Sequence, residues 1–535
     1  MSWIEYFPEQ SPREFQRQVL DELIMNWDKY DNFVLELPTG VGKSAIAIAL
    51  ARWWASQQPA SHMDTPDFQK YRTYITTTSI GLQNQYEKSY LDKGLVKLYS
   101  ADNYMCCRGK EITCKEGAKL NHHYGQSECT CCPYVMAKYQ FIDSPFGILN
   151  LAYYLNETYY VGELVSRGLC IYDEAHTIGD CVKEFVSLEI PFKFIESFLM
   201  QPPAPNQDGS YHIPTLVDWM SNQYLVRLNN NLDQLKSALP NNRDQVSSKE
   251  LLVLYRHVDE LEEHTKRLKE ALNNINYQDW VAEKQEEKIV VTPISPRRWI
   301  PKLLTSRCSK NLMMTATILD EKFFLEENGL PKERTLVIKK TSPFPTKNRP
   351  IYYWPIGRIK HNDLQNTVSK FIEPIVEILE EHSNEKGIIF VSSYAQAEEL
   401  KKQLNNPRLI THTNADEKDS MMELHQSSLN TVIISPSMHE GVDLKGDLSR
   451  FQIVVKLPFP SLGSKSVKRR SELYPEWYAY RTCVSIVQSI GRSVRSDEDY
   501  AVTYILDDNF GWFSDKCGKL IPKYCKDSMI GVGSC

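Results

Sequence analysis

Short apolar runs closed by polar, glycine- or proline-bearing turns recur towards both ends of the chain, with longer helical patterns between them. Phe33–Leu37 is predicted as a strand, Pro38–Gly42 as a tight loop, and Ser44 to about Trp54 as an alanine-rich helix. Tyr71–Thr77, Phe146–Leu149 and Leu169–Tyr172 are further strand candidates, rich in β-branched and aromatic residues. After residue 345 a second series begins, with strands predicted at Gly387–Val391, Thr431–Ile434, Phe451–Leu457 and Tyr500–Leu506. Strands alternating with helices predict an α/β fold with doubly wound parallel sheets.

Two stretches break this rhythm. From about 101 to 148 no periodicity survives, and Cys, Gly, Lys and His dominate, so another source of stability such as bound metal is expected. From 186 to 290 the pattern is mostly helical. Leu251, Leu254, Val258, Leu261, Thr265, Leu268, Leu272 and Ile275 form a 3,4-spaced seam, with Glu262–Lys266 and Glu263–Arg267 pairs expected on the outer face. The domain expectation follows: 1–100, 149–185 and 291–344 build one α/β unit, 101–148 and 186–290 are insertions into it, and 345–535 is the second unit.

Composition narrows this little. The chain has 535 residues, 42% hydrophobic and 24% charged, enough for several domains of an ordinary globular kind. A net charge of −6 excludes a surface that binds polyanions everywhere and leaves room only for a local basic groove. The opening MSWIEYFPEQSPREFQ has no basic region followed by an apolar run, and no window holds 18 consecutive apolar residues, so neither a secretory signal nor a membrane span is expected. A cytoplasmic location, or a nuclear one in a eukaryote, and a monomeric state are expected.

The chemistry is carried by three motifs. Pro38-Thr-Gly-Val-Gly-Lys-Ser44 lies between a strand and a helix, where glycines let backbone N–H groups close around phosphates at a helix N-terminus. There Thr39, Gly40 and Gly42 would line the triphosphate of ATP, Lys43 would reach its β/γ-phosphates, and Ser44 would ligate Mg²⁺. Leu37 stands where the general pattern begins with glycine. Asp173-Glu-Ala-His176 follows an apolar strand, so its carboxylates should emerge at the sheet's C-terminal edge; Asp173 suits the Mg²⁺ shell and Glu174 the base that orients water. In Gln488-Ser-Ile-Gly-Arg-Ser-Val-Arg495, Arg492 and Arg495 are three apart on a predicted helix and could stabilise charge on the γ-phosphate. A basic stretch, Lys465–Arg470, precedes Trp477, Tyr478 and Tyr480 and could touch a strand or pack as a helix.

Together with Thr315-Ala-Thr317 and Glu440-Gly-Val-Asp443, these motifs resemble superfamily 2 helicases of the XPD/DinG type over nearly the whole chain. The resemblance implies two RecA-like domains, with a cysteine-rich insertion and a helical arch in the first. By the same resemblance Gln16 contacts adenine, Tyr74–Ser79 and Leu82–Gln85 touch the nucleic-acid backbone, and Thr315 and Thr317 couple hydrolysis to movement. Gly441 and Asp443 would line the nucleotide cleft from the second domain, together with Gln488. Ser342–Phe344 and Leu457–Pro460 match further segments of the family. The implied activity is ATP-dependent translocation on single-stranded DNA, 5′→3′, with unwinding of forked duplex DNA. A translocase that does not separate strands and an inactive scaffold subunit are the alternatives. A nuclease is disfavoured by the lack of a further acidic cluster with metal-ligand spacing.

Six of the thirteen cysteines fall at 106, 107, 114, 129, 131 and 132. Spacing alone leaves Zn²⁺ and iron–sulfur open; zinc is the commoner structural metal, and His122 or His123 could complete its site. The resemblance of Asn103–Cys106 and Cys132–Tyr134 to the family's cysteine domain implies a [4Fe–4S] cluster, with Cys106, Cys114, Cys129 and Cys132 as its ligands.

Overall fold

The computed structural model describes residues 3–59, 66–107, 111–123, 131–239, 248–414, 417–438, 444, 446–491, 493–494 and 498–530. In chain order the strands are β1 (Asn32–Glu36), β2 (Thr73–Thr77), β3 (Val96–Leu98), β4 (Phe146–Asn150), β5 (Leu169–Asp173), β6 (Leu188–Pro191), β7 (Trp280–Lys284), β8 (Lys288–Pro293), β9 (Lys310–Thr315), β10 (Thr335–Lys339), β11 (Ile351–Gly357), β12 (Gly387–Phe390), β13 (Leu409–Thr411), β14 (Val432–Ser435), β15 (Phe451–Val454), β16 (Val502–Asp507) and β17 (Met529–Ile530). They form two seven-stranded parallel sheets, ordered β10-β1-β9-β5-β2-β4-β3 and β13-β14-β12-β15-β16-β11-β17, and a small antiparallel sheet, β6-β8-β7. The two-sheet α/β expectation therefore holds.

Both large sheets are covered on two faces, which is why their strands are apolar throughout rather than alternating. Phe33 and Leu35 of β1 and Ile171 of β5 point into one core with the helix α2 (Lys43–Ser56), while Val34, Cys170 and Tyr172 enter the opposite core. The second sheet repeats this, with Ile389 on one side and Ile388 and Phe390 on the other.

The insertions depart from expectation in two ways. The stretch 101–148 is not without regular structure: Cys114–His123 and Pro133–Asp143 are helices, and Phe141 of the latter is fully buried against the first sheet. Its apolar stripe is short and lies beside the cysteines, so composition hid it. The stretch 186–290 also carries an antiparallel sheet, β6-β8-β7, whose strand β8 runs past the expected boundary to Pro293 and whose β7–β8 hairpin turns through the polar Gln285–Glu287. The long helix Ser248–Asn274 does carry the expected seam, with Val258, Leu261, Thr265 and Leu268 buried against the helix Leu225–Ser237. Glu263 pairs with Arg267, but Glu262 pairs with Lys236 instead of Lys266, whose ammonium donates to the Tyr160 carbonyl. Arg256 of the long helix pairs with Glu116 on the helix Cys114–His123, joining the two insertions.

Candidate active site

Strand order brings the motifs of the first domain together. β9 inserts between β1 and β5, so the Pro38–Gly42 loop after β1, Thr315 at the end of β9 and Asp173 at the end of β5 lie side by side at the C-terminal edge of neighbouring strands. The Leu37 N–H donates to the Thr315 carbonyl at 2.9 Å, tying the loop to β9 where it leaves the sheet.

The loop is held from behind. Gly40 and Gly42 have φ of 81° and 83°, the left-handed region that favours glycine. Space is also short, because a Cβ on Gly42 would lie 2.4 Å from Gln16 Nε2. Gln16, in the helix α1 (Glu14–Met25), is buried; its amide donates to the Val41 carbonyl at 3.1 Å and accepts from the Arg13 N–H at 2.9 Å. Gln16 is thus a brace for the loop in this conformation. Gly42 caps α2 without a side chain, so the first N–H groups of a fourteen-residue helix are left for an anion. The Lys43 ammonium donates to the Leu37 carbonyl at 3.4 Å, folded across the loop.

Opposite stand the carboxylates. Asp173 is buried; its Oδ1 accepts from the Glu174 N–H at 2.9 Å and its Oδ2 from the Tyr86 hydroxyl at 2.8 Å. Burial and then the neighbouring Glu174 hold its carboxyl above the usual carboxylate range, against the opposing pull of Lys43. Glu174 itself sits in the left-handed region at φ 53°, a conformation that costs a non-glycine residue on the order of 1–3 kcal/mol and clusters at functional sites. Two close carboxylates and the Ser44 hydroxyl are the hard oxygen donors that suit Mg²⁺, and the adjacent helix terminus suits the phosphates it would accompany.

Beside Glu174, a hydrogen-bonded path runs from His176 to the second domain. His176 Nδ1 lies 3.3 Å from Glu174 Oε2 and 2.9 Å from Thr315 Oγ1. The Thr317 N–H donates to Thr315 Oγ1 at 3.2 Å, and Gln488 Nε2 donates to Thr317 Oγ1 at 2.9 Å. Separately, Thr39 Oγ1 donates to the Gly491 carbonyl at 2.8 Å, and Val494 packs into the apolar core that holds α2. Arg492, Arg495, Gly441 and Asp443 lie outside the described residues.

Arg481 was not singled out from the sequence. It lies seven residues before Gln488 on the helix Pro475–Ile490, hence on the same face, and donates to the His176 carbonyl at 3.1 Å and to Asp180 at 2.5 Å. The two-turn spacing was the available signal. The basic stretch 465–470 is divided: the Lys465 ammonium bonds Asp208 and its backbone N–H bonds Glu283, and the buried Arg470 meets Glu327 and the Trp477 ring, while Lys468 and Arg469 are exposed. Gln83, in the segment expected to touch nucleic acid, is buried and donates to the Leu98 carbonyl at 3.0 Å; Asn84 and Gln85 are exposed.

The sequence and structure both have relatives. Residues 375–528 match the helicase C-terminal domain family. A probable ATP-dependent helicase of Methanocaldococcus jannaschii is 22% identical over 98% of this chain and 95% of its own length. The ATP-dependent DNA helicase CHL1 of Debaryomyces hansenii is 26% identical over 25% of this chain, a match that spans only 17% of that protein. A solved XPD helicase shares the fold, with a TM-score of 0.63 at 15% identity over 95% of this chain and 98% of that one. The chain is thus similar in sequence to ATP-dependent helicases, matches a helicase C-terminal domain over 375–528, and shares the fold of XPD helicase.

The cysteine-rich stretch brings some of its thiols together. Cys114 and Cys132 are buried and interact, with Cys106 close enough to act on the Cys114 thiol, which burial pushes up to about 11. Cys107 and Cys131 form a separate pair, their sulfurs 2.8 Å apart. Cys129 lies outside the described residues, and among those described no three His, Cys, Asp or Glu side chains are arranged to hold a metal.

Proposed function

We propose that this chain is an ATP-dependent DNA helicase that moves 5′→3′ on single-stranded DNA and opens forked duplexes. The observation that carries the reading is the hydrogen-bonded path from His176, which lies 3.3 Å from Glu174, through Thr315 and Thr317 to Gln488; it ties the C-terminal edge of one sheet to a helix of the other domain. A site assembled from two walls responds to nucleotide by closing and to its loss by opening, which is what a stepping motor needs.

ATP would sit on the uncapped start of α2, with Lys43 swinging from the Leu37 carbonyl to the phosphates. Ser44 and Asp173 would hold Mg²⁺, which supplies charge neutralisation to the triphosphate. Glu174, kept in place by His176, orients the attacking water, and Arg492 and Arg495 are assigned from sequence to the γ-phosphate. Hydrolysis then releases contacts such as Thr39–Gly491 and Gln488–Thr317, and one domain advances along the strand.

The Cys114–Cys132 contact, with Cys106 acting on the same thiol, supports the sequence-based assignment of a soft-metal site; with Cys129, the four thiolates would hold a [4Fe–4S] cluster, whose role is to cross-link the insertion. Purified protein should then absorb near 400 nm and contain about four irons per chain, and Cys132→Ser should lose them and impair unwinding more than hydrolysis. A colourless protein with stoichiometric zinc, handled anaerobically, refutes the cluster.

The deciding experiment for the function is strand displacement on 5′-tailed and 3′-tailed duplexes with ATP and with a non-hydrolysable analogue. Displacement of the 5′-tailed substrate alone, with ATP alone, supports the reading. Hydrolysis without displacement leaves a translocase, and no hydrolysis leaves a scaffold.

A further inference from the structure

The helix α3 (Ile80–Tyr90) has two chemically different faces. Its outer face shows Gly81, Asn84, Gln85 and Lys88 to solvent, while Gln83, Tyr86 and Tyr90 are buried beneath it. The two tyrosines are one turn apart with ring centroids 5.9 Å apart, and each ends on a residue assigned above to Mg²⁺. The Tyr86 hydroxyl donates to Asp173 Oδ2 at 2.8 Å, and the Tyr90 hydroxyl is 3.3 Å from Ser44 Oγ. At its other end α3 is capped by Ser79, whose Oγ accepts from the Leu82 N–H at 3.2 Å. The preceding Thr78 hydroxyl is bonded at 3.2 Å to Thr177, whose own hydroxyl donates to the Glu174 carbonyl at 2.7 Å. One rigid helix therefore joins a polar outer surface to both metal-binding side chains.

We propose that Tyr86 and Tyr90 are positioning residues that make hydrolysis depend on the strand: nucleic acid lying against the outer face of α3 sets the helix, and the two hydroxyls set Asp173 and Ser44 for Mg²⁺. This rests on the helicase reading of the site. A displacement of less than about 1 Å suffices to switch it, because a hydrogen bond lengthened beyond about 3.5 Å is effectively lost. Burial makes the switch sharp, since a carboxylate oxygen that loses a buried donor gains no water in exchange.

The test is steady-state ATPase of the full chain, titrated with Mg²⁺ at fixed ATP, with and without single-stranded oligothymidine. In Tyr86→Phe, the half-saturating Mg²⁺ should rise several-fold and the strand-stimulated turnover should fall about ten-fold, with the KM for ATP at saturating Mg²⁺ unchanged. Tyr90→Phe should shift both in the same direction by less, its contact being longer. Thermal unfolding of both variants checks that the fold persists, and Mg²⁺-dependent binding of a fluorescent non-hydrolysable ATP analogue, read by anisotropy without turnover, should need several-fold more Mg²⁺ in Tyr86→Phe; unchanged Mg²⁺ dependence of that binding also overturns the inference. Wild-type Mg²⁺ dependence in Tyr86→Phe, or an equal loss with and without strand, overturns the inference while leaving the helicase reading intact. A wild-type chain whose hydrolysis ignores the strand overturns both.

Discussion

Replacing Gly42 by Ala isolates the two constraints on the phosphate loop. The left-handed φ of 83° costs an alanine about 1–2 kcal/mol. A Cβ 2.4 Å from Gln16 Nε2 also pushes the amide away and breaks its 3.1 Å bond to the Val41 carbonyl, which adds about 1 kcal/mol. Gly42→Ala should therefore lose about 2–3 kcal/mol in kcat/KM for ATP, or roughly 30- to 150-fold. Gln16→Ala alone removes the brace and should cost about 1 kcal/mol. In the double variant the methyl group finds room, so the steric part vanishes and only the dihedral part and the lost brace remain. The two single costs should then exceed the double cost by about 1 kcal/mol. Strict additivity in ATPase kinetics, with all four proteins equally folded by thermal melting, would refute the claim that Gln16 and Gly42 are fitted to each other.

Lys43→Ala should abolish ATP hydrolysis while single-stranded DNA binding, measured by fluorescence anisotropy, stays within a few-fold of wild type; unchanged turnover would mean the loop is misread. Arg481→Ala removes the guanidinium that holds the His176 carbonyl and Asp180, and should lower kcat about ten-fold with little change in the KM for ATP, as expected for loss of one charge-assisted contact between the domains that touches no nucleotide-binding residue. His264 is buried beside the Tyr224 hydroxyl, and burial pushes its pKa down to about 4 from an ordinary 6.5. The unfolded chain then binds the proton more readily, so stability should be unaffected above pH 6.5 and fall as the pH drops towards 4, by at most about 3 kcal/mol; a His264→Gln variant should flatten that part of the melting-temperature profile.

Much was legible from local pattern. The tight loop between β1 and α2 announces itself because closely spaced glycines between an apolar strand and an alanine-rich helix favour a sharp turn, and parallel strands announce themselves because burial on both faces leaves them apolar. The long seam of the helix Ser248–Asn274 was readable for a similar reason, since its period matches the turn of an α-helix. These are properties of consecutive residues.

What only the tertiary structure decided are relations between distant ones. That β9 inserts between β1 and β5, placing Thr315 beside both the loop and Asp173, is a choice of strand order that hydrophobic pattern leaves open, because any apolar strand satisfies either neighbour. The Tyr86–Asp173, Arg481–His176 and Gln16–Val41 contacts are equally invisible in sequence. Tyrosine, arginine and glutamine in helices read as ordinary packing or surface until a partner is brought to their polar ends. The basic run at 465–470 shows the converse in part: charge in sequence suggests solvent or a polyanion, and the fold pairs Lys465 with Asp208 and Arg470 with Glu327 while Lys468 and Arg469 stay exposed. Local propensity and periodicity are set within a few turns of chain, whereas a buried polar contact exists only when packing excludes water from both partners at once.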